Sequence, residues 1–378
     1  MFLRRWPVLA SFGLLIATLE RMRTRRSDVV RIFFTILGLP SIQRYGQGTG
    51  AVEGSGLSSE LGFIAWARAP AFAAELCGPQ PRGPIFVNER WSGTSVGDIA
   101  MQVRILTLNV WNAEGDPRRP ECINQTLATL KPDLIAFQEV IQTRDDRMLD
   151  RLLAKLDFEA THQADLQHST PPFADRYGGS AVATRWPHRV VEVLDMRVAG
   201  AADVPWATLA TVVEIPEAGE LLFVGATMAW RPAAEAVRER QALAIAELDA
   251  RHRRGLPTII AGDLNADPGS ASIRFLTGRQ SLDGRSVLYH DAWEIAGDGR
   301  GYTWGVDNPN GRAGSDQIIG QPGYRKRFDY VLVGSWDAHP ESHAHIRSAA
   351  LAFDKPINGI WASDHFGVVV DLDIGMNN

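Results

Sequence analysis

The sequence contains very few cysteines and no apolar run long enough to cross a bilayer. Its two cysteines, Cys77 and Cys122, are too few for a disulfide framework and lack the paired spacing of a zinc site. The apolar run at residues 8–19, which follows Arg4 and Arg5, has 12 residues. A spanning helix needs roughly 20. These absences exclude a disulfide-stapled domain and argue against a spanning helix in this run.

Acidic residues outnumber basic residues over most of the chain. Residues 1–100 hold 11 arginines, no lysine and 7 acidic residues, which leaves 28 basic and 37 acidic residues afterwards, a net charge of −9. A protein that tracks long nucleic acid normally presents a positive field to the phosphates. We therefore expect a small molecule or a lipid head group as substrate rather than long nucleic acid.

Residues 1–100 differ from the rest, because no periodic core pattern follows Pro40 and the composition turns to Gly, Ser and Pro. We predict a leader over residues 1–100 and one domain over residues 101–378. Two interpretations of the leader stay open. Translation could begin at Met101, or the leader could be a disordered, membrane-associated or exported segment in which residues 1–40 bind a membrane surface weakly. A cytoplasmic monomer is the expectation if the leader has no such role.

From Met101 onward, short apolar runs alternate with amphipathic helical patterns. Residues 103–110 are apolar at both alternating positions, which is typical of a strand buried on both faces. Apolar spacing of three and four predicts helices over residues 122–130, 146–156 and 233–253. Further strands are predicted over residues 133–137, 179–184, 207–213, 221–227, 258–261, 328–333 and 367–372. The alternation predicts an α/β domain.

Polar side chains lie at the ends of several predicted strands. Three strands run into polar residues, and two others begin with them. If the last two strands run antiparallel to the first three, one edge gathers Asn109, Glu139, Asp263, Asn265, Asp329, Asp364 and His365. Carboxylates this close repel one another unless a cation or retained protons offset their charge. Oxygen ligands favour Mg²⁺ or Mn²⁺ over zinc, so we predict a divalent-metal site.

The spacing within this set indicates which chemical role each residue could have. Asp263 and Asn265 are two apart, so in extended backbone both side chains point to the same side. One can deprotonate a water while the other holds a phosphoryl oxygen. Asp329 beside His365 would orient the imidazole and stabilise its protonated form, which suits a negatively charged transition state.

Five segments in order carry a family resemblance: Leu-Thr-Leu-Asn-Val-Trp-Asn (106–112), Gln-Glu-Val (138–140), Gly-Asp-Leu-Asn (262–265), Arg-Phe-Asp-Tyr-Val (327–331) and Ser-Asp-His (363–365). Over residues 102–373 the chain resembles the endonuclease/exonuclease/phosphatase, deoxyribonuclease I-like superfamily. The resemblance implies a four-layered α/β sandwich, with two mixed β-sheets packed face to face and helices outside. It also implies a metal-dependent hydrolase that cleaves a phosphoester with an activated water, as a phosphodiesterase, nuclease or phosphatase.

The resemblance also implies a role for each residue. The metal ligands would be Asn109, Glu139 and Asp364. Asp263 would activate the water and Asn265 would bind the phosphate. Asp329 would orient His365, whose ring would contact the phosphoryl oxygen.

One position departs from the family pattern. Met228 occupies the place of a second phosphate-contacting His or Tyr, and its thioether cannot donate a hydrogen bond. Low activity is therefore expected unless Arg231 or another group compensates. The alternative function is a catalytically impaired binding protein of the same fold. Alternatively, Met228 is simply a buried strand residue.

Overall fold

The computed structural model describes residues 100–167, 176–199 and 205–377. The predicted leader lies almost entirely outside these residues, so the division at residue 100 and the membrane association of residues 1–40 stay predictions. Among the described helices, none combines the length and the apolar character needed to cross a membrane.

Two six-stranded sheets and six α-helices make up most of the described residues. The strands are β1 (Met101–Asn109), β2 (Leu134–Val140), β3 (Glu159–His162), β4 (Gly179–Thr184), β5 (His188–Asp195), β6 (Ala207–Ile215), β7 (Gly219–Thr227), β8 (Ile259–Asp263), β9 (Tyr289–Asp291), β10 (Trp304–Gly305), β11 (Arg325–Lys326), β12 (Asp329–Gly334), β13 (Ser342–Ala352) and β14 (Gly367–Met376). The helices are α1 (Arg119–Leu130), α2 (Met148–Leu152), α3 (Glu235–His252), α4 (Ala271–Leu276), α5 (Ala292–Ala296) and α6 (Pro309–Ile318).

Both sheets are mixed. The first has the order β13-β14-β1-β2-β4-β3 and the second the order β5-β6-β7-β8-β12-β9, while β10 and β11 form a short separate ribbon. In each sheet one central pair is parallel, β1 with β2 and β7 with β8. The other pairs within these two sheets are antiparallel.

Three apolar clusters separate four layers. Alternate residues of central strands from both sheets, such as Ile105 and Phe223, fill the space between the sheets. The outward residues of the first sheet, such as Phe137, pack with Ile123 of α1. Those of the second sheet pack against α3, including Ile245. The predicted four-layered sandwich with helices outside is confirmed.

The strand directions bring the predicted polar residues to one edge. In the pairing of β12 with β8, Asp329 lies opposite Asp263, and the strands are antiparallel. Strand β14 likewise runs antiparallel to β1. The ends of β1, β2 and β8 therefore meet the beginnings of β12 and β14, as the sequence argument requires.

Candidate active site

Asn109 ends β1 and links two carboxylates. Its Nδ2 donates to Glu139 Oε1 at 3.0 Å and to Asp263 Oδ2 at 3.1 Å. Its Oδ1 accepts from the backbone N–H of Trp111 at 2.9 Å. Asn109 thus presents its donor, not its oxygen, to the acidic residues.

Glu139 reaches the site through an irregularity in β2. The register between β2 and β4 shifts between Phe137 and Val140, and Glu139 has a φ of 60°. A bulge of this kind re-aims a side chain beside an active site. Gly178 packs directly against the Glu139 backbone, since a Cβ on Gly178 would lie 2.6 Å from the Glu139 carbonyl carbon. The positive φ is a local strain that the surrounding sheet maintains.

The Glu139 carboxylate is crowded by other groups. Asn112 Nδ2 donates to its Oε2 at 2.8 Å. Burial, and then the nearby negative charge of Asp364, raise the pKa of Glu139 to about 7. Two buried carboxylates that repel each other favour a cation between them or a retained proton.

Arg119, in the first turn of α1, holds the loop after β1. Its guanidinium is almost fully buried and donates to the carbonyls of Val110 and of three more loop residues, Trp111, Asn112 and Glu114. It also donates to the carbonyl of Ala362, 243 positions along the chain, at 2.9 Å. One side chain therefore fixes the loop after β1 against the segment that leads to Asp364.

Asp263 and Asn265 form a tight turn at the end of β8. Only glycine fits before them, because a Cβ on Gly262 would lie 1.8 Å from the carbonyl oxygen of Ala226. Asp263 Oδ1 accepts from the Asn265 N–H at 2.9 Å, and Asn265 has a φ of 49°. Asn265 Nδ2 donates to the Met228 carbonyl at 3.1 Å. Asparagine tolerates this left-handed conformation better than most residues.

Asp329 and His365 are hydrogen-bonded and buried. His365 Nδ1 lies 2.9 Å from Asp329 Oδ2, and Nε2 lies 3.9 Å from Asp263 Oδ2. A carboxylate only accepts, so Nδ1 carries the proton. Burial alone would lower the pKa of His365, but Asp329, Asp364 and Asp263 together raise it well above its usual value. Burial also raises the pKa of Asp263.

Asp364 is positioned by two neighbours. Trp304 Nε1 donates to its Oδ2 at 3.1 Å, and Ser363 Oγ lies 3.3 Å from its Oδ1. Ser363 Oγ also donates to the Asn109 carbonyl at 2.7 Å. The loop before β14 is therefore fastened to the end of β1.

The structure brings all seven predicted site residues to one edge, although the roles assigned to them stay predictions. Within the described residues, the three potential metal-ligand atoms that lie within 4.8 Å of one another come from Asp263, Asp329 and His365. They do not come from the predicted metal ligands Asn109, Glu139 and Asp364. The hydrogen bond between His365 and Asp329 accounts for that closeness. That grouping therefore carries no independent sign of a metal site, and Asn109, Glu139 and Asp364 remain the predicted metal ligands.

Met228 does not face this edge. Residues along β7 alternate between the space between the sheets and the helix side, and Thr227 bonds Ser180 Oγ at 3.2 Å on the first side. The next residue, Met228, is fully buried in the cluster that packs against α3. Met228 is therefore buried, as the alternative interpretation expects, although it lies one residue beyond the end of β7.

A cleft of about 950 Å³ opens above this edge, and five of the seven residues line it: Glu139, Asp263, Asn265, Asp364 and His365. Its walls carry many aromatic rings: Trp111, Tyr177, Trp206, Trp230, Trp304 and Tyr324. Cations in the walls have partners, since Lys326 binds Asp267 at 2.7 Å and Arg231 lies over the Trp230 ring at 4.9 Å. The cleft thus combines an acidic floor with aromatic walls.

Several contributors were not predicted. Asn112 is the last residue of the quoted segment 106–112, and its amide side chain could have indicated a hydrogen-bond donor to the nearby carboxylates. Arg119 carried no signal, because an arginine at the start of a helix is ordinary. Trp304 lies on β10, whose two residues are too few for a periodic pattern.

Comparison with known proteins agrees with this architecture. The model of the Endonuclease/Exonuclease/phosphatase family matches residues 106–365. A search of the curated proteins finds no match.

Solved structures of similar fold cover 72% of the chain. Truncated TDP2 from Caenorhabditis elegans is 19% identical, with a TM-score of 0.50 and 98% of its own chain covered. An endonuclease/exonuclease/phosphatase family protein from Leptotrichia buccalis is 18% identical, with a TM-score of 0.51 and 99% covered. TDP2 from D. rerio, complexed with a single-strand DNA product, is 17% identical, with a TM-score of 0.51 and 99% covered. At these identities the likeness shows the shared fold.

Proposed function

The chain belongs to the endonuclease/exonuclease/phosphatase family, whose members are divalent-metal-dependent phosphoesterases, and from that premise we propose that it hydrolyses a phosphoester with an activated water. The observation that carries this proposal is the pairing of Asp263 and Asp329 across β8 and β12, with His365 hydrogen-bonded to Asp329 beside them. A base and an oriented imidazole thus face one small space at the floor of the cleft.

Glu139 and Asp364 are the residues that would hold Mg²⁺ or Mn²⁺, with Asn109 at the edge of that site. Their electrostatic repulsion supports this, because burial and then the negative charge of Asp364 raise the pKa of Glu139 to about 7, and a cation between the two carboxylates would offset that repulsion. When bound, the cation supplies Lewis acidity and neutralises charge that develops on the phosphoryl oxygens.

Asp263 would take the proton of the attacking water. Its Oδ1 is held by the Asn265 N–H and its Oδ2 by Asn109, so the carboxylate cannot rotate away from the cleft. Burial raises its pKa, which makes it a stronger base than an exposed aspartate. Asn265 lies beside it at the cleft wall and would donate to a phosphoryl oxygen.

His365 would donate from Nε2 to a phosphoryl oxygen. Asp329 accepts from Nδ1 and fixes the plane of the ring. The raised pKa of His365 keeps a proton on Nε2, where a negatively charged transition state needs a donor.

For the substrate, we propose a phosphoester of a small molecule or lipid head group that carries a flat or apolar group. The aromatic cleft walls would pack against that group, and the paired state of Lys326 offers little free positive charge to a long polyanion. Since D. rerio TDP2 binds a single-strand DNA product, a short DNA end is the rival substrate.

A hydrolysis screen with Mg²⁺ or Mn²⁺ tests both the proposed phosphoester hydrolysis and the proposed class of substrate. It would compare a chromogenic aryl phosphodiester, a phosphomonoester, a choline phospholipid and a short single-stranded DNA. Activity on any of them should fall by about 10²-fold or more in Asp263→Asn, which removes the base and keeps the shape. Asp337→Asn changes an exposed carboxylate beyond the far end of β12 and should leave the rate unchanged.

Two outcomes would contradict the proposal. Metal-dependent turnover that survives Asp263→Asn would remove that residue from the chemistry. No turnover on any substrate class, in a protein that still binds Mg²⁺, would favour the binding protein over the enzyme.

A further inference from the structure

The loop after β7 buries the Met228 side chain and then presents an arginine to the cleft. The Met228 N–H donates to the Asp263 carbonyl at 3.1 Å, and the Met228 carbonyl accepts from Asn265 Nδ2 at 3.1 Å. Arg231, three residues later, is exposed and lines the cleft together with Asp263 and His365. Three residues of chain span at most about 11 Å, so the Arg231 backbone lies no farther than that from the Met228 backbone, which is hydrogen-bonded to the site.

Two buried side chains of α3 hold this loop in place. Arg238 Nη1 donates to the carbonyls of Ala229 and Arg231, each at 2.8 Å. Its Nη2 donates to the Pro232 carbonyl at 3.2 Å. Gln241 Oε1 accepts from the Ala229 N–H at 2.8 Å, and both α3 side chains are almost fully buried. The backbone at Arg231 is therefore ordered before any ligand binds, which lowers the entropic cost of binding.

The Trp230 ring backs the Arg231 guanidinium. This ring is partly buried and packs on the apolar cluster beside α3, so packing sets its position. The guanidinium carbon of Arg231 lies 4.9 Å from the ring centroid. A guanidinium over an aromatic face directs its N–H groups outward in its own plane, and this planar fork matches the oxygens of a phosphate. The loop thus holds Arg231 in a form suited to an anion.

Arg231 is the most exposed of three basic side chains in the cleft wall. Arg238 is buried and holds the loop, while Lys326 is partly buried and binds Asp267 at 2.7 Å. The floor of the cleft is acidic and repels the phosphate of a substrate. Positive charge on the wall offsets this repulsion and raises the local concentration of anions. Its exposure therefore makes Arg231 the wall residue best placed to meet a phosphate.

We propose that Arg231 binds a non-bridging phosphoryl oxygen of the substrate from the cleft wall. This inference rests on the proposed phosphoester hydrolysis and adds a substrate-binding residue to the same site. Met228 cannot make the contact, because its thioether has no donor and its side chain is buried. A hydrogen bond from a charged donor is roughly twice as strong as a neutral one, and it strengthens as negative charge develops on the phosphoryl oxygens.

Calorimetric titration of the full chain with inorganic phosphate, in saturating Mg²⁺, tests this contact. Wild type should bind phosphate, and Arg231→Met should weaken that binding at least tenfold. Arg231→Lys should weaken it less, because lysine keeps the charge and loses only the planar fork. Arg189→Met is the matched control, because Arg189 is exposed and pairs with Glu220 beside the start of β7, at the end remote from the site. Its phosphate affinity should equal that of wild type.

Kinetics give a second readout on any substrate that the hydrolysis screen identifies. Arg231→Met should lower kcat/KM by about 10²-fold, as the loss of one preorganised donor typically does. Thermal melting should show an unchanged fold, because the Arg231 side chain is exposed. A variant that keeps the wild-type kcat/KM would overturn the proposal.

The phosphate titration also separates this inference from the proposed hydrolysis. Asp263→Asn should lose turnover and still bind phosphate. Equal phosphate affinities in wild type and Arg231→Met would overturn the role of Arg231 and leave the hydrolysis standing. Phosphate binding that depends on Arg231, in a protein that hydrolyses none of the substrates, would support the role of Arg231 and contradict the hydrolysis. A wild-type chain that binds no phosphate would overturn the role of Arg231.

Discussion

Replacing Arg119 by methionine or lysine should destabilise the protein by a similar amount. Three of the carbonyls that accept from Arg119, those of Val110, Asn112 and Ala362, are buried. Leaving a buried acceptor unsatisfied costs about 1–3 kcal/mol, so three cost roughly 6 kcal/mol. Burial lowers the pKa of Arg119 to about 10. At about 1.4 kcal/mol per pKa unit, the lowered pKa means that burying this charge destabilises the folded state by roughly 3 kcal/mol. Arg119→Met removes the charge, so that cost is absent in the variant.

The expected net loss for Arg119→Met is therefore about 3 kcal/mol. Arg119→Lys keeps a charge on a flexible stem but loses the planar fork, so it should not rescue the fold. Equilibrium urea unfolding measures both variants. Arg118→Met is the matched control, because Arg118 is exposed and pairs only at the surface with Asp116, and it should leave the free energy of unfolding nearly unchanged.

Two results would refute this reasoning. A lysine variant as stable as wild type would show that charge, not the fork geometry, holds the loop. A loss below about 1 kcal/mol in Arg119→Met would show that water satisfies the carbonyls in its place.

Three further predictions concern single positions. His365→Ala should slow hydrolysis by about 10²-fold or more. Adding Asp329→Asn to that variant should slow hydrolysis little further, because the two residues act as a unit. Additive losses in the double variant would contradict this. Met228→His should lower stability by about 1–3 kcal/mol relative to Met228→Leu, since it buries an unpaired imidazole among apolar side chains, and should give no gain in rate. A stable, faster variant would instead place this side chain at the phosphoryl group. Burial lowers the pKa of His162 to about 4, while the unfolded value is about 6.5, so the unfolded state binds more protons between these pH values. The free energy of unfolding should fall by up to about 1.4 kcal/mol per pH unit as the pH drops from 6.5 to 4, and His162→Asn should reduce this dependence on pH. Parallel plots of unfolding free energy against pH for wild type and variant would contradict the prediction.

The fold was predictable because its central strands are unusually clear in the sequence. The strand over residues 179–184 was predicted with the bounds it has in the structure, and helix α3 within two residues at its start. Strand β13 was missed because it is an edge strand with exposed polar residues, including His345 and Arg347, and carries a weak alternation. The helix predicted over residues 146–156 is only Met148–Leu152.

The candidate site was predictable where polar residues interrupt apolar strands. Asp263 and Asp329 gather because antiparallel pairing sets them opposite each other, a relation that strand order alone suggests. The bulge at Glu139 was not predictable, since it depends on a register shift against β4 and on the close approach of Gly178. A motif comparison also could not show where the Met228 side chain points, because that residue follows the end of β7 and its burial against α3 is a property of the folded structure.

The pairing of β14 with β1 has a consequence for synthesis in the cell. Among the described strands, the one that is synthesised first pairs with the one that is synthesised last, since Met101 pairs with Ile374 and Thr107 with Val368. At about 5–20 residues per second, translation leaves the edge of β1 unpaired for roughly 13 to 50 seconds. An unpaired apolar edge is a template for wrong partners. The nascent chain should therefore engage chaperones, and the candidate active site cannot assemble until β14 leaves the ribosome.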